Sequence, residues 1–106
     1  MPVIEIGSFE AYDKVISSGQ TIIVDFYAIW CGPCKVVSPK FEEFSEKYAG
    51  KAYFIKVDVD RFPNIVQPLS VSAMPTFMVF KNSQKVDEVV GADVKKLELM
   101  IQKYAA

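Results

Sequence analysis

The sequence contains no histidine and only two cysteines, Cys31 and Cys34, in 106 residues. A structural zinc site needs about four nitrogen or sulfur ligands, so this composition argues against metal binding. A secreted miniprotein held by disulfides would carry several cysteine pairs spread along the chain. Because the two cysteines here are three positions apart, we interpret the pair as chemically reactive and expect no metal.

The chain also lacks an excess of charge and a long apolar run. Its formal net charge is −1, with lysine and glutamate interspersed, so neither nucleic acid nor an anionic membrane is an expected partner. The longest apolar run, Phe26 to Cys31, is far shorter than the about 20 residues of a membrane-spanning helix. No targeting leader is visible at the start. We therefore expect a soluble cytoplasmic protein, although a processed organellar form would look the same.

The length of 106 residues predicts one domain over residues 1–106, and about half of these residues are apolar, which is enough for a packed core. The pattern of apolar residues predicts the α/β class. Runs rich in β-branched residues predict strands, and apolar stripes at helical spacing predict helices. Their order predicts right-handed crossovers into a partly parallel sheet covered on both faces. The expected strands are 3–6, 21–28, 53–59, 76–81 and 85–90, and the apolar stripes of the expected helices lie within 9–16, 37–48 and 94–104.

Several residues mark where these elements begin and end. Ser8 and Asp93 are expected to cap the first and last helices, since their side-chain oxygens can accept free backbone N–H groups. Gly19 and Gly50 are expected to end the first two helices. The segment 82–84 is expected to form a hairpin turn. Two prolines, Pro63 and Pro68, restrict any helix in segment 60–69 to a short or irregular one.

Cys31 and Cys34 fall between a predicted buried strand and a predicted helix. Free N–H groups and the dipole at the helix start favour a thiolate at Cys31, and the thiolate is the attacking species. Cys34 lies one turn later, within reach for a reversible disulfide. Pro33 suits the first turn, Gly32 leaves the approach open, and we expect Cys31 to face solvent and Cys34 to be shielded. An incidental cysteine pair is the alternative.

The segment VDFYAIWCGPCK, residues 24–35, resembles the active-site strand and loop of the thioredoxin family. The resemblance continues through KVDVD at 56–60, AMPTF at 73–77 and VGAD at 90–93. It implies the thioredoxin fold, a central five-stranded mixed sheet of order 1-3-2-4-5 flanked by four helices. It also implies a thiol–disulfide oxidoreductase in which Cys31 attacks a protein disulfide and Cys34 resolves the mixed disulfide, forming a Cys31–Cys34 redox disulfide. Gly32 and Pro33 would tune its redox potential.

Asp25 interrupts an otherwise apolar predicted strand, where an ionised carboxylate is costly unless it is compensated. Such a residue is neutral, paired or functional, and a hydrogen-bonded core aspartate is the alternative. The resemblance implies that Asp25 exchanges a proton with Cys34, with or without a bridging water. It also makes Lys56 the partner charge that modulates Asp25. A solvated lysine on a strand is the alternative for Lys56.

The resemblance further implies a flat apolar rim around the exposed sulfur that binds protein substrates. It makes Pro75 a cis proline packed beside Cys31, where free backbone groups of Met74 can pair with an extended substrate segment. From the residues alone, Pro75 is an ordinary strand-entry proline, and Trp30 fits the core as well as the rim. The rim residues are Trp30, Met74, Gly91 and Ala92.

The same resemblance implies no bound cofactor and electrons from NADPH through a flavin-containing thioredoxin reductase. The implied targets are peroxiredoxins, ribonucleotide reductase and methionine sulfoxide reductases, and we expect a monomer. One alternative is an oxidase or isomerase of a secretory compartment, whose members typically carry histidine in place of Pro33. The other is a non-catalytic binding subunit that uses the rim, against which the two cysteines and Asp25 argue.

Overall fold

The computed structural model describes residues 3–105. One five-stranded sheet has the order β1-β3-β2-β4-β5, so the predicted α/β class and the implied thioredoxin fold are confirmed. No helix within this range is long and apolar enough to cross a membrane. In chain order the elements are β1 (Ile4–Glu5), α1 (Phe9–Ile16), β2 (Ile22–Tyr27), α2 (Gly32–Lys47), β3 (Tyr53–Asp58), α3 (Pro63–Val66) with a 3-10 turn (Gln67–Leu69), β4 (Thr76–Lys81), β5 (Gln84–Val90) and α4 (Val94–Tyr104).

The sheet separates two apolar cores. β3 pairs in parallel with β1 and β2, whereas β4 runs antiparallel to both β2 and β5. Because side chains alternate along a strand, Val24 and Phe26 face one core, with residues of α1 and α3. Ile23 and Phe77 face the other core, with residues of α2 and α4. The alternation places Asp25 on the α2 side of the sheet, where the strand's only carboxylate meets the start of that helix.

The helix starts follow the predicted caps. The Ser8 hydroxyl accepts the N–H of Ala11 at 3.0 Å, and the Asp93 carboxylate accepts the N–H of Lys96 at 3.0 Å. Both capping predictions are therefore confirmed. Pro63 begins α3, a helix of only four residues, which agrees with the restriction that the prolines impose.

The predicted ends of α1 and α2 were wrong. α1 ends at Ile16 and α2 ends at Lys47, before the two glycines that were expected to end them. Gly19 and Gly50 instead adopt φ of +81° in the following turns, where a residue without a Cβ is least strained. The hairpin turn is also one residue shorter than expected. Asn82 and Ser83 take positive φ, and the next residue already belongs to β5.

Candidate active site

The two cysteines lie where the chain enters α2. Cys31 is the N-cap residue of this helix, and its Sγ accepts the N–H of Cys34 at 3.1 Å. Pro33 occupies the first turn, where a missing N–H leaves no helical hydrogen bond unmade. The cysteines form a disulfide with their Cα atoms 5.3 Å apart. In the reduced protein the backbone N–H groups at the start of α2 would stabilise a thiolate at Cys31.

The expected difference in exposure between the two cysteines is wrong for this oxidised form. Cys31 and Cys34 are each only 4% exposed. Their surroundings differ instead, because Cys31 Sγ lies at the helix terminus and 3.6 Å from the carbonyl oxygen of Met74. Cys34 lines a cleft on the other side of the disulfide, together with Asp25. Position, not burial, therefore distinguishes the two sulfurs.

The cleft beneath Cys34 has a volume of about 220 Å³ and is lined by a buried carboxylate. Asp25 is 3% exposed, and its Oδ1 has no hydrogen-bond partner within residues 3–105. Burial raises the pKa of Asp25 to about 7, Lys56 opposes this rise and Glu5 adds to it. A carboxyl group of this pKa can take up or release a proton near neutral pH. The other lining residues are Tyr27, Ala28, Ile29, Lys35, Ser38 and Lys56.

Lys56 lies beside Asp25 in the register of β2 and β3. Its Nζ, however, is 3.5 Å from Glu5 Oε1, and the described chain shows no ion pair between Lys56 and Asp25. The Lys56 side chain is 29% exposed, so it is neither fully solvated nor buried. The spacing of residues in the sequence did not indicate that Glu5 and Tyr27 lie near this site. The Tyr27 hydroxyl donates to Glu5 Oε2 at 2.7 Å. Only the strand register could have revealed these two neighbours.

Trp30 belongs to the surface around the cysteines. It is 68% exposed, which excludes the alternative of a core tryptophan. Its Nε1 donates to Asp60 Oδ2 at 2.9 Å, a partner that the sequence pattern did not indicate. Two further apolar side chains near the cysteines, Ile29 and Val36, are also strongly exposed. The sequence contains no signal for these two residues, because only the structure shows that they are exposed.

The segment before β4 packs against the cysteine pair. The Met74–Pro75 peptide bond is cis, which is the isomer that the resemblance implies. Pro75 is buried and its carbonyl accepts the N–H of Gly91 at 2.8 Å. Met74 and Gly91 are half-buried and Ala92 is exposed. The structure therefore brings the carbonyl oxygen of Met74 to within 3.6 Å of Cys31 Sγ, and a hydrogen bond joins Gly91 to Pro75.

Metal binding finds no support in residues 3–105, where no group of three or more His, Cys, Asp or Glu side chains could hold an ion.

Comparison with known proteins places this geometry in a family. The thioredoxin family model matches residues 3–103. A thioredoxin of Coprinus comatus is 50% identical over 102 residues, 95% of this chain and 96% of the relative. The crystal structure of Malassezia sympodialis thioredoxin has a TM-score of 0.93 at 44% identity and covers 100% of this chain and 96% of its own. A chain from a structure on thiol resolution in yeast mitochondrial 1-Cys peroxiredoxin via glutathione/thioredoxin systems has a TM-score of 0.87 at 32% identity, covering 95% and 94%.

These similarities extend over the whole site described above. Thioredoxins bind no cofactor of their own and act on disulfide-containing proteins, and NADPH recharges them through thioredoxin reductase. With a Cys31–Cys34 disulfide at the start of α2, the chain belongs to the thioredoxin family and is a thiol–disulfide oxidoreductase.

Proposed function

We propose that Cys31 is the attacking nucleophile and Cys34 the resolving thiol of this oxidoreductase. The observation that carries the assignment is the position of Cys31 as the N-cap of α2, with its Sγ accepting the N–H of Cys34 at 3.1 Å. A helix N-terminus stabilises negative charge, so the thiolate is favoured at Cys31. Cys34 lies inside the first turn and faces the cleft that contains Asp25.

The reaction is an exchange of two electrons between dithiol and disulfide. The Cys31 thiolate attacks one sulfur of the target disulfide, and the other target sulfur leaves as a thiolate that takes up a proton. Cys34 then loses its proton and attacks Cys31 Sγ. The Cys31–Cys34 disulfide forms, the mixed disulfide breaks, and the target leaves fully reduced.

Asp25 is proposed to accept the proton that Cys34 loses. Support comes from its burial, from its Oδ1, which has no hydrogen-bond partner among residues 3–105, and from its pKa of about 7. A base with a pKa near neutral pH is best suited to this transfer. Lys56 is proposed to modulate Asp25, since its positive charge opposes the effect of burial on that pKa. The proposal includes transfer directly between the two groups and transfer through one bridging water.

Substrate binding is proposed for the apolar rim and the segment before β4. Trp30 is strongly exposed, and Cys31 Sγ lies 3.6 Å from the carbonyl oxygen of Met74. An extended target segment that pairs with the backbone of Met74 would therefore present its disulfide to Cys31. A flat surface of this kind demands little side-chain complementarity. The proposed binding residues are Trp30, Met74, Pro75, Gly91 and Ala92.

Gly32 and Pro33 are proposed to tune the redox potential, because they separate the two sulfurs within the first turn of α2. We expect Pro33→His to make the protein a better oxidant, since histidine there would stabilise the Cys31 thiolate and hence the reduced form. A redox titration against glutathione measures the change. An unchanged or lower potential would contradict this role.

The partners and setting are proposed as follows. We infer a monomer of one domain over residues 1–106 that works in the cytoplasm with thioredoxin reductase. Peroxiredoxins are proposed targets because one structural neighbour concerns thiol resolution of a peroxiredoxin. Ribonucleotide reductase and methionine sulfoxide reductase are proposed on the family alone.

The roles of the cysteines are tested by two matched serine variants. Cys34→Ser keeps the attacking thiol but cannot resolve, so it should accumulate mixed disulfides with target proteins that reductant releases. Cys31→Ser should reduce no insulin and capture no partner, because the Cys34 thiol is not at the N-cap and lines the cleft that contains Asp25. Capture by Cys31→Ser but not by Cys34→Ser would reverse the assignment.

A further inference from the structure

Three charged side chains lie in a row across the sheet. Glu5 of β1 pairs in register with Lys56 of β3, and Lys56 pairs in register with Asp25 of β2. Register partners point to the same face of a sheet, so all three side chains share the α2 face. Lys56 therefore lies in register between two residues that carry carboxyl groups.

In the structure Lys56 pairs with only one of these carboxyl groups. Its Nζ lies 3.5 Å from Glu5 Oε1, and within residues 3–105 Asp25 Oδ1 has no hydrogen-bond partner. The Lys56 ammonium also stands 5.5 Å from the centre of the Tyr27 ring. The lysine is thus directed toward β1, although the register places its backbone equally beside β2.

Tyr27 fixes the position of Glu5. Its hydroxyl donates to Glu5 Oε2 at 2.7 Å, while Glu5 Oε1 faces Lys56. Tyr27 and Asp25 are two positions apart in β2, so they also share the α2 face. One carboxylate therefore bonds a tyrosine with one oxygen and a lysine with the other, and this bridge spans β1, β2 and β3.

We propose that Glu5, anchored by Tyr27, is a positioning residue that holds the Lys56 ammonium toward β1 and so prevents it from pairing with Asp25. This inference rests on the proposed function of Asp25 in proton transfer for its catalytic consequence. A lysine paired with Asp25 would stabilise the carboxylate and lower its pKa, because an opposite charge within a few ångströms favours the ionised form. Glu5 therefore keeps Asp25 able to take up a proton near neutral pH.

The groups that surround Asp25 come from each packed element. β4 places Phe77, which does not titrate, opposite Asp25. Burial dominates the raised pKa of Asp25, with Lys56 acting against it and Glu5 in support. The charge of Glu5 thus acts both directly on Asp25 and through the position of Lys56. The titratable groups concerned are Glu5 on β1, Tyr27 on β2, Lys56 on β3, and Cys34 and Lys35 on α2.

The test measures the titration of the Asp25 carboxyl carbon by NMR in the reduced protein. Glu5→Gln keeps an acceptor for the Tyr27 hydroxyl but removes the charge, and at this exposed position it should not disturb folding. We expect the Asp25 midpoint to fall by roughly one pH unit as Lys56 turns to Asp25. Glu98→Gln is the matched control, since it breaks the ion pair of Lys47 and Glu98 between α2 and α4 and should leave the midpoint unchanged.

A second comparison separates positioning from the direct effect of the Glu5 charge. In a Lys56→Met background, Glu5→Gln should lower the Asp25 midpoint by much less than in the wild type, because no lysine remains to be repositioned. Equal shifts in both backgrounds, or no shift in the wild type, would overturn the inference. Tyr27→Phe should lower the midpoint in the same direction and by less.

The pH dependence of turnover separates a failure of this inference from a failure of the proposed role of Asp25. The rate of insulin reduction is measured as a function of pH, from pH 5 to 9, for the wild type and for Glu5→Gln. If the Asp25 midpoint falls and the pH profile follows it, both proposals are supported. If the midpoint falls and the pH profile does not move, the positioning inference stands and the role of Asp25 in proton transfer is wrong.

Discussion

Asp25 and Asp58 are two buried aspartates on neighbouring parallel strands, with exposures of 3% and 2%. They differ in what meets the carboxylate. Asp58 Oδ1 accepts the N–H of Asp60 at 3.0 Å and so closes the turn after β3. Asp25 Oδ1 has no partner within residues 3–105 and lines the cleft below Cys34. Burial alone therefore does not indicate a functional carboxylate, whereas burial without a partner beside a reactive group does.

The ionised carboxylates of Asp58 and Asp25 have opposite effects on the free energy of unfolding. A hydrogen bond from Asp58 to a turn N–H satisfies a backbone donor, so it supports the fold. Burial of Asp25 raises its pKa to about 7, so ionisation of this group opposes folding.

The largest effect concerns the pH dependence of stability. The folded-state pKa of Asp25, about 7, lies above its ordinary value of 3.8, so the folded protein binds more protons between these values. Its contribution to stability is complete below pH 4 and is lost as the pH rises through 7. The loss corresponds to at most about 4 kcal/mol. Urea unfolding of the wild type and of Asp25→Asn should give similar free energies at pH 4 and a more stable variant at pH 8.

Equal pH dependence in these two proteins would contradict the assignment of a raised pKa to Asp25. Urea unfolding at several pH values suits this comparison because small domains generally unfold in one transition.

The second effect concerns the turn after β3. Asp58→Ala removes the acceptor of the Asp60 N–H and should lower the free energy of unfolding by about 2 kcal/mol. Asp58→Asn retains an acceptor oxygen and is the matched control. Insulin reduction per folded molecule should be unchanged in both. A loss of turnover in a fully folded Asp58 variant would show that both aspartates serve the chemistry.

The third effect concerns turnover at pH 7. Asp25→Asn should slow insulin reduction about tenfold, less than the usual contribution of general acid–base catalysis because bulk water can accept the proton. The first attack by Cys31 should be nearly unaffected, since the proton in question belongs to Cys34. Stopped-flow measurements of mixed-disulfide formation and of its resolution separate the two steps. An equal slowing of both steps would place Asp25 in the attack as well.

The smallest effect concerns the rim. Asp60→Ala removes the acceptor of the Trp30 Nε1–H and should raise KM for insulin about twofold, because hydrogen bonds at exposed positions contribute little. Trp30 is the only tryptophan in the sequence, so its fluorescence reports any change in its surroundings directly. An unchanged emission spectrum would show that Asp60 does not hold the ring.

Much of the site was predictable from residues that are close in the chain. The position of Cys31 at a helix start follows from the change of hydrophobic period across residues 22–47. Asp25 is a candidate functional residue from the sequence because a charged residue in an apolar strand is unusual. Two helix ends were wrong because glycine marks a permissive backbone position, whereas the helix ends where its last hydrogen bonds are made.

The α/β order of elements could be predicted from the sequence, as could the helix caps at Ser8 and Asp93 and the closeness of the two sulfurs. Each of these depends on residues within one element or at its ends, so local spacing was sufficient. Two features became visible only in the folded chain, the equal burial of Cys31 and Cys34 and the pairing of Lys56 with Glu5. These contacts depend on strand register and on packing between segments up to about 50 residues apart, and the pattern of one strand carries no information about which residue of another lies beside it.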